Sequence, residues 1–274
     1  MGNPPYTEGG KAANTIWDKF IDKSINLAKP DGTIAMIVTQ SFALSYRYTE
    51  LRKNLIQRGL QMVRFLPRET FNISQSTLYF VSTPCEETKV IDTYSYVTHP
   101  SNVVLKNGIL ASIIEKIEAV NGKEYYNETA YKFREENKIK KPCKAVTLIN
   151  GTKCEIGEGD LYGDDTENPR IVASYLANDS IAIRANWYCP PGVSSGPYRS
   201  MVVRNEQEGK VLESLFKSKL FLSVFKGTSS SRTLDGMQMR FLPTVDLTRT
   251  WTDQELYSHF NLTPEEVAYI EEQV

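Results

Sequence analysis

A short apolar run between two helical patterns constrains the fold of this chain more than any other feature. Residues 34–38 are all apolar and follow the turn-forming Pro-Asp-Gly at residues 30–32. The segment before them, "NTIWDKFIDKSINLAK", places apolar side chains at helical spacing, and "YTELRKNLIQRG" after them does the same up to Gly59. A buried strand between two helices predicts a parallel α/β sheet, whose site forms in loops at the carboxyl ends of the strands.

The order of the remaining patterns predicts a division of the chain into residues 1–97 and 98–274. In the first part, "LQMVRFL" predicts another strand, and "TLYFVST" with "KVIDTYSYV" predicts an antiparallel pair at one sheet edge. In the second part, "GILASIIEKIEAV" and "EGKVLESLFKSKLFLSVFKG" predict helices. Acidic, basic and strand-like stretches lie between them. Near the end, Thr252 and Thr263 each precede a glutamate by three positions, which predicts two capped helix starts.

Composition excludes several functional classes. The 32 Lys and Arg residues nearly cancel the 33 Asp and Glu residues, so contacts with DNA would have to use local basic patches. No apolar run approaches the roughly 20 residues of a membrane span. The four cysteines are scattered without a CxxC pair and the chain has two histidines, so we expect reduced cysteines and no metal site.

The chain begins with a stiff bend, Asn3-Pro4-Pro5-Tyr6, just before the first predicted helix. Two consecutive prolines fix two φ angles near −65° and remove two backbone donors, and Asn3 is biased toward an extended conformation because it precedes a proline. Such a bend is either a plain turn or a rigid cradle. A cradle would hold an amide and an aromatic ring at a fixed separation.

The order of these segments resembles a known family of enzymes. Asn-Pro-Pro-Tyr, then an amphipathic helix ending in Lys-Pro-Asp-Gly, then "TIAMIVTQSF", is similar to the catalytic half of gamma-class adenine-specific DNA methyltransferases. The segment "FNISQSTLYFV" and the ending "VDLTRTWTDQELYSHFNLTPEEVAYIE" resemble the fused type II restriction–modification enzymes, possibly type IIG. The resemblance implies the second half of a Rossmann-like sheet, parallel with antiparallel edge strands. A mixed α+β target-recognition lobe would follow it, in a cytoplasmic protein of bacterial or phage origin.

The resemblance also implies roles for the residues of the bend. The Asn3 side-chain carbonyl and the Pro4 backbone carbonyl would accept hydrogen bonds from the exocyclic amine of adenine, and Pro5 would help to preorganise both acceptors. Tyr6 would stack on the base after it leaves double-stranded DNA, and Phe71 matches a second stacking position. It is equally consistent with the sequence that Phe71 is an ordinary residue packed at the sheet edge.

Contacts of the second part with DNA are weaker predictions. The mixed strand-like region supplies three candidate phosphate contacts, and the serine-rich loop "GTSSSRTLDG" supplies a fourth. These candidates are Arg184, Arg199, Arg204 and Arg232. A plain surface loop is the equal alternative for the serine-rich segment. The basic stretch at residues 132–144 is interleaved with glutamates, so a solvated face is favoured there.

The chain departs from the family in its cofactor segment. A complete enzyme carries a glycine-rich segment that binds S-adenosylmethionine before the catalytic loop, and only Met1 and Gly2 precede Asn3 here. The glycines of "NGTKCEIGEGD" lack the preceding strand and following helix of such a segment. We therefore expect S-adenosylmethionine to serve the complete enzyme without binding tightly to this chain alone. A second chain or an upstream segment would supply the cofactor half.

Two other functions remain open from the sequence. The chain could be a non-catalytic DNA-binding fragment left after loss of the cofactor half. It could also be a protein-glutamine methyltransferase, which uses the same four-residue loop. The second alternative is less favoured, because a long region follows the predicted sheet and suggests target recognition.

Overall fold

The structure is a computed structural model in which the chain divides into two compact units, Met1–Ala111 and Ser112–Val274. The described residues form a mixed α/β protein with small antiparallel sheets and eight α-helices. They are residues 1–7, 15–67, 70–71, 76–84, 97–98, 104–105, 107–121, 138–149, 153–162, 167–173, 187–194, 199–228 and 245–274. These units are defined by compactness alone, so the division into two functional parts between residues 97 and 98 stays a prediction.

The first unit alternates helices with strands, as the apolar patterns predict. A short 3₁₀ helix, Tyr46–Tyr48, lies between its second and third α-helices. Its elements are α1 (Trp17–Leu27), β1 (Ile34–Thr39), α2 (Ser41–Leu44), α3 (Thr49–Gly59), β2 (Leu60–Phe65), β3 (Thr77–Ser82), β4 (Val97–Thr98) and β5 (Val104–Leu105).

The main sheet of this unit corrects two predictions. Its strand order is β1-β3-β2, and β3 is antiparallel to both neighbours. The predicted Rossmann-like parallel sheet is therefore not seen among the described residues, although β1 and β2 run in the same direction on either side of β3. The predicted pairing of "TLYFVST" with "KVIDTYSYV" is also wrong for the described part. The first of these segments is the central strand, and Val97 of the second pairs with Leu105.

An aromatic cluster joins the helices of the first unit to one face of this sheet. Phe42 of α2 stacks on Phe80 of β3 with ring centroids 5.2 Å apart. Trp17 of α1 contacts the Phe42 ring edge-on at 6.4 Å and the Tyr48 ring at 4.5 Å. Burial of such large rings stabilises the unit through removal of apolar surface from water. The cluster therefore fixes the segment after β1 against the start of α1.

A buried arginine holds the turn that follows β1. The Arg52 side chain is fully buried, and its Nη1 donates to the carbonyl oxygens of Phe42 at 2.7 Å and Ser45 at 2.8 Å. Its Nη2 donates to Thr49 Oγ1 at 3.2 Å. Burial lowers the pKa of Arg52 to about 10, which leaves the guanidinium charged at neutral pH. Arg52 thus satisfies carbonyl groups at the end of α2 that the helix itself leaves unpaired.

The second unit contains a long hairpin, a three-stranded sheet and helices. Most of α4 (Gly108–Asn121) belongs to it. The hairpin is antiparallel, and the sheet has the order β10-β8-β9. The other elements are β6 (Lys138–Ile149), β7 (Lys153–Tyr162), β8 (Arg170–Ala173), β9 (Trp187–Cys189), β10 (Arg199–Val202), α5 (Glu206–Lys217), α6 (Lys219–Thr228), α7 (Asp253–His259) and α8 (Pro264–Gln273).

The helices of the second unit show where local signals succeed and where they fail. Capping boxes form at Thr252 and Thr263, as predicted. The segment "EGKVLESLFKSKLFLSVFKG" forms two helices, because Ser218 has an extended ψ of 146°. The Ser218 hydroxyl donates to the Leu215 carbonyl and accepts from the Phe221 amide, so one side chain serves both helix ends. A single serine within an apolar pattern does not predict such a break between two helices.

Close packing of α5 against β9 depends on a glycine. A Cβ atom at Gly209 would lie 2.5 Å from Cδ2 of the Tyr188 ring. Only a residue without a side chain therefore permits this approach of the helix to the strand.

Within the described ranges, no helix has both the length and the apolar character needed to cross a membrane.

Candidate functional site

The opening motif is attached to the sheet through the residue before it. The Gly2 amide donates to the Ala35 carbonyl at 2.9 Å, and the Ile37 amide donates to the Gly2 carbonyl at 3.1 Å. These bonds form a parallel bridge between Gly2 and Met36 of β1. Because the bridge is parallel, Asn3 and the prolines run beside β1 toward its carboxyl end. Neither Pro4 nor Pro5 can donate to a longer ladder, so the pairing cannot continue on that side.

A second backbone contact fixes the other end of the motif. The Ile16 amide donates to the Tyr6 carbonyl at 3.3 Å, and Thr7 forms an antiparallel bridge with Thr15. Tyr6 is therefore held beside Ile16, the residue that directly precedes α1. Pro4 is buried, Asn3 is exposed and Tyr6 is half-buried. Burial raises the pKa of Tyr6, so its phenol stays neutral near neutral pH.

Phe71 lies in a loop that leaves the same edge of the sheet. We call this the strand-end edge: it consists of the carboxyl ends of β1 and β2 and the first residues of β3. Thr39 pairs with Thr77, and Phe65 pairs with Leu78. Residues 66 and 76, which precede and follow Phe71 in the sequence, therefore lie at the strand-end edge, toward which the motif also runs. Phe71 itself is 40% exposed, so its ring is open to solvent.

Gln40 ties the motif's neighbouring strand to the loop that carries Phe71. Its backbone amide donates to the Ser76 carbonyl at 2.9 Å, and its Nε2 donates to the Thr77 carbonyl at 3.4 Å. Gln40 is buried and directly follows β1. Gly2 pairs with β1, and β1 pairs with β3, so two strand spacings separate Gly2 from β3. Because adjacent strands lie about 4.8 Å apart, the start of β3 lies roughly 10 Å from the path of the chain at Gly2. Sequence analysis missed Gln40, since a single glutamine after a strand carries no motif.

Of the four arginines predicted to contact DNA, two lie outside the described residues, namely Arg184 and Arg232. Arg199 begins β10. Arg204 is 82% exposed and precedes α5, and its Nε donates to Glu208 Oε2 at 3.1 Å. The same carboxylate accepts from the Arg204 backbone amide at 2.6 Å. Arg204 therefore has a local partner at the start of a helix, and contact of any of the four with phosphate stays a prediction.

The binding of S-adenosylmethionine stays a prediction, and only the position of two glycines in the structure bears on it. Of the three glycines of "NGTKCEIGEGD", Gly157 and Gly159 lie inside β7 and pair with Ala145 and Cys143 of β6, and Gly151 lies outside the described residues. A glycine-rich cradle instead needs a turn between a strand and a helix, where backbone amides point at the ligand. Among the described residues, no group of three or more His, Cys, Asp or Glu side chains is arranged to hold a metal ion.

A shallow groove of about 460 Å³ lies near the start of α7. Trp251 lines it and is half-buried. The Arg249 guanidinium carbon lies 3.7 Å from the Trp251 ring centroid, and Nη1 donates to Glu255 Oε1 at 2.7 Å. The Trp251 Nε1 donates to the Asp246 carbonyl at 2.9 Å. These contacts explain why the side chains are arranged in this way: they hold the segment before α7 in place.

Comparisons with known proteins give limited information. No protein-family model and no curated protein matches the chain. Among solved structures, it has a weak similarity to the type IIG restriction endonuclease BpuSI, with a TM-score of 0.32 and 10% sequence identity. The alignment covers 100% of this chain and 49% of that protein, so the chain spans about half its length. A similarity at this level carries no argument about the fold or the chemistry, which must come from the residues themselves.

Proposed function

We propose that this chain is part of a site-specific DNA adenine methyltransferase of the restriction–modification type. In the complete enzyme, a methyl group would pass from S-adenosylmethionine to the exocyclic amine of an adenine flipped out of double-stranded DNA. This chain would supply the groups that hold the adenine. The methyl donor would be held by a second chain or by a segment that precedes Gly2 in a longer protein.

One observation supports this proposal above the others. The Asn-Pro-Pro-Tyr motif directly follows Gly2, which pairs in parallel with β1, and the loop that carries Phe71 leaves the same strand-end edge. In parallel α/β sheets, binding sites form in loops at the carboxyl ends of the strands, and β1 and β2 both end at this edge although the central β3 is antiparallel to them. The backbone pairing of Gly2 and the register of the sheet therefore support a common site for the motif and the segment of Phe71, which are far apart in the sequence.

The proposed role of the motif follows from the chemistry of adenine. The lone pair of the exocyclic amine is delocalised into the ring, so the amine is a poor nucleophile. Acceptors placed at both of its hydrogens favour the geometry in which the lone pair points away from the ring. The Asn3 side-chain carbonyl and the Pro4 backbone carbonyl would be these acceptors. The bonds at Gly2 and Tyr6 limit the motion of the segment between them, so the acceptors are preorganised.

The first test is binding of the chain to DNA that contains an unpaired adenine. We expect tighter binding to a duplex with adenine opposite an abasic site than to a fully paired duplex, because the cost of unpairing is already met. Tyr6→Ala and Phe71→Ala should each lower this preference by roughly 5- to 150-fold, since stacking on an aromatic is worth about 1–3 kcal/mol per base. Fluorescence anisotropy with labelled duplexes measures the affinities.

Two comparisons make this test decisive. Tyr269→Ala changes a half-buried tyrosine of α8 in the second unit and should leave the preference for unpaired adenine intact. A duplex with unpaired cytosine distinguishes adenine recognition from general affinity for an open site. Equal affinity for paired duplex, unpaired adenine and unpaired cytosine would instead favour a DNA-binding fragment without a base pocket.

A separate prediction concerns the cofactor. Because Gly157 and Gly159 of "NGTKCEIGEGD" lie within a paired strand, we expect the isolated chain to bind S-adenosylmethionine weakly or not at all. Isothermal titration calorimetry on the 274-residue chain measures this affinity directly. Micromolar binding would contradict the prediction and would locate the cofactor site within this chain.

A further inference from the structure

An exposed arginine, Arg47, lies near the start of α1. Arg47 belongs to the 3₁₀ helix after α2, and its side chain is 61% exposed. Its neighbour Tyr48 contacts the Trp17 ring and forms a side-chain hydrogen bond with Thr15. Thr15 in turn bridges to Thr7, which directly follows the motif, so these contacts link the neighbourhood of Arg47 to the end of the motif.

The charges around Arg47 leave its guanidinium only loosely engaged. Nη2 lies 4.0 Å from Oδ2 of Asp18, at the outer limit of an ion pair. The guanidinium carbon lies 5.5 Å from the centroid of the Tyr48 ring. Asp18 is 20% exposed, but a pair at this distance with a mostly exposed arginine stabilises a protein little. The Arg47 side chain is therefore available to a stronger anionic partner, although the carboxylates of Asp18 and Asp22 on α1 oppose the approach of any anion.

We propose that Arg47 contacts a backbone phosphate of DNA beside the nucleotide whose base the Asn3–Tyr6 motif holds. This inference rests on the proposed function and adds a residue to it. A flipped base leaves its phosphates at the rim of the pocket, so a cation beside the motif loop can reach one of them. Arginine suits this contact because its planar fork matches two phosphate oxygens. Asp18 would compete with the phosphate for the same guanidinium.

The test is the salt dependence of binding to the duplex with unpaired adenine. Each phosphate contact releases condensed counterions, so Arg47→Gln should reduce the slope of log affinity against log salt concentration by about 0.9. Affinity should fall several-fold at low salt and by less at high salt. Lys29→Gln is the matched control, since Lys29 is exposed at the other end of α1 and should leave the slope unchanged. Thermal unfolding of each variant verifies that the fold is intact.

A double-mutant cycle separates direct contact from general charge effects. If Arg47 binds phosphate, Asp18→Asn should change DNA affinity by different factors with Arg47 present and with Arg47→Gln. Equal factors in the two backgrounds, or an unchanged salt slope for Arg47→Gln, would overturn the assignment while leaving the proposed function standing. Failure of the unaltered chain to bind any of the duplexes would overturn the proposed function, and the assignment of Arg47 with it.

Discussion

Replacing Asn3 with alanine is expected to lower methyl transfer by about 10²- to 10³-fold, which is the usual effect of losing one preorganised hydrogen-bonding group at a reacting centre. The measurement requires the chain together with a cofactor-binding half, supplied as a partner or as a reconstructed upstream segment. Asn3 is exposed and its side chain makes no contribution to the bridge at Gly2, so the variant should fold normally.

The loss should appear in the rate of transfer and hardly at all in affinity for DNA. An acceptor that acts chiefly in the transition state lowers kcat without weakening binding of the ground state. Single-turnover methylation and a gel shift on the same DNA separate the two quantities. Asn26→Ala, which changes an exposed asparagine of α1, is the matched control. Near-normal methylation by the Asn3→Ala variant would show that the bend is only a turn.

Local signals predicted most elements of the first unit but not their arrangement. The helical spacing before residue 30 and the apolar run at residues 34–38 correspond to α1 and β1. A nearly continuous apolar run reports that both faces of a strand are covered, and it says nothing about which strand lies beside it. The central place of β3 therefore could not be read from the sequence. Strand order depends on contacts between residues far apart in the chain.

In the candidate site, too, some features follow from the local sequence and others depend on contacts between residues far apart in the chain. The rigidity of Asn3-Pro4-Pro5-Tyr6 follows from two prolines, and the resemblance to a family of methyltransferases rests on that motif and its downstream order. The bonds of Gln40 to residues 76 and 77 and the place of Arg47 beside Thr15 depend on the sheet register and on ring packing. Neither residue belongs to a motif, so their positions near the candidate site could not be predicted from the sequence.

The second large effect is expected at a buried glutamate of the second unit. Glu266 is 4% exposed and occupies the third position of α8, where its carboxylate accepts from the Thr263 amide at 2.6 Å. It also accepts from Ser112 Oγ and Lys116 Nζ of α4, each at 2.7 Å. Glu266→Ala should lower the free energy of unfolding by about 2–4 kcal/mol, because it leaves the part-buried cation of Lys116 without its carboxylate and removes a cap.

Glu255 provides a matched control for this substitution. It occupies the same capping-box position in α7, but its side chain is 43% exposed. Glu255→Ala therefore removes an equivalent cap without stranding a buried group, and we expect a much smaller loss of stability. Urea unfolding of both variants measures the difference. Equal losses would show that capping alone accounts for the effect and that the bonds to α4 contribute little.

The stabilisation from Glu266 should also depend on pH. Burial raises the pKa of this carboxyl, but the hydrogen bonds from Lys116, Ser112 and Thr263 outweigh burial and leave the pKa below its ordinary value of 4.5. A carboxyl whose pKa is lower in the folded state stabilises that state fully above the ordinary value, and the contribution disappears as the pH falls through the lowered pKa. The stability difference between the unaltered chain and Glu266→Ala should therefore be constant near neutral pH and shrink below about pH 4.5. A difference that stays constant into strong acid would mean that the ionised carboxylate contributes nothing beyond the shape of its side chain.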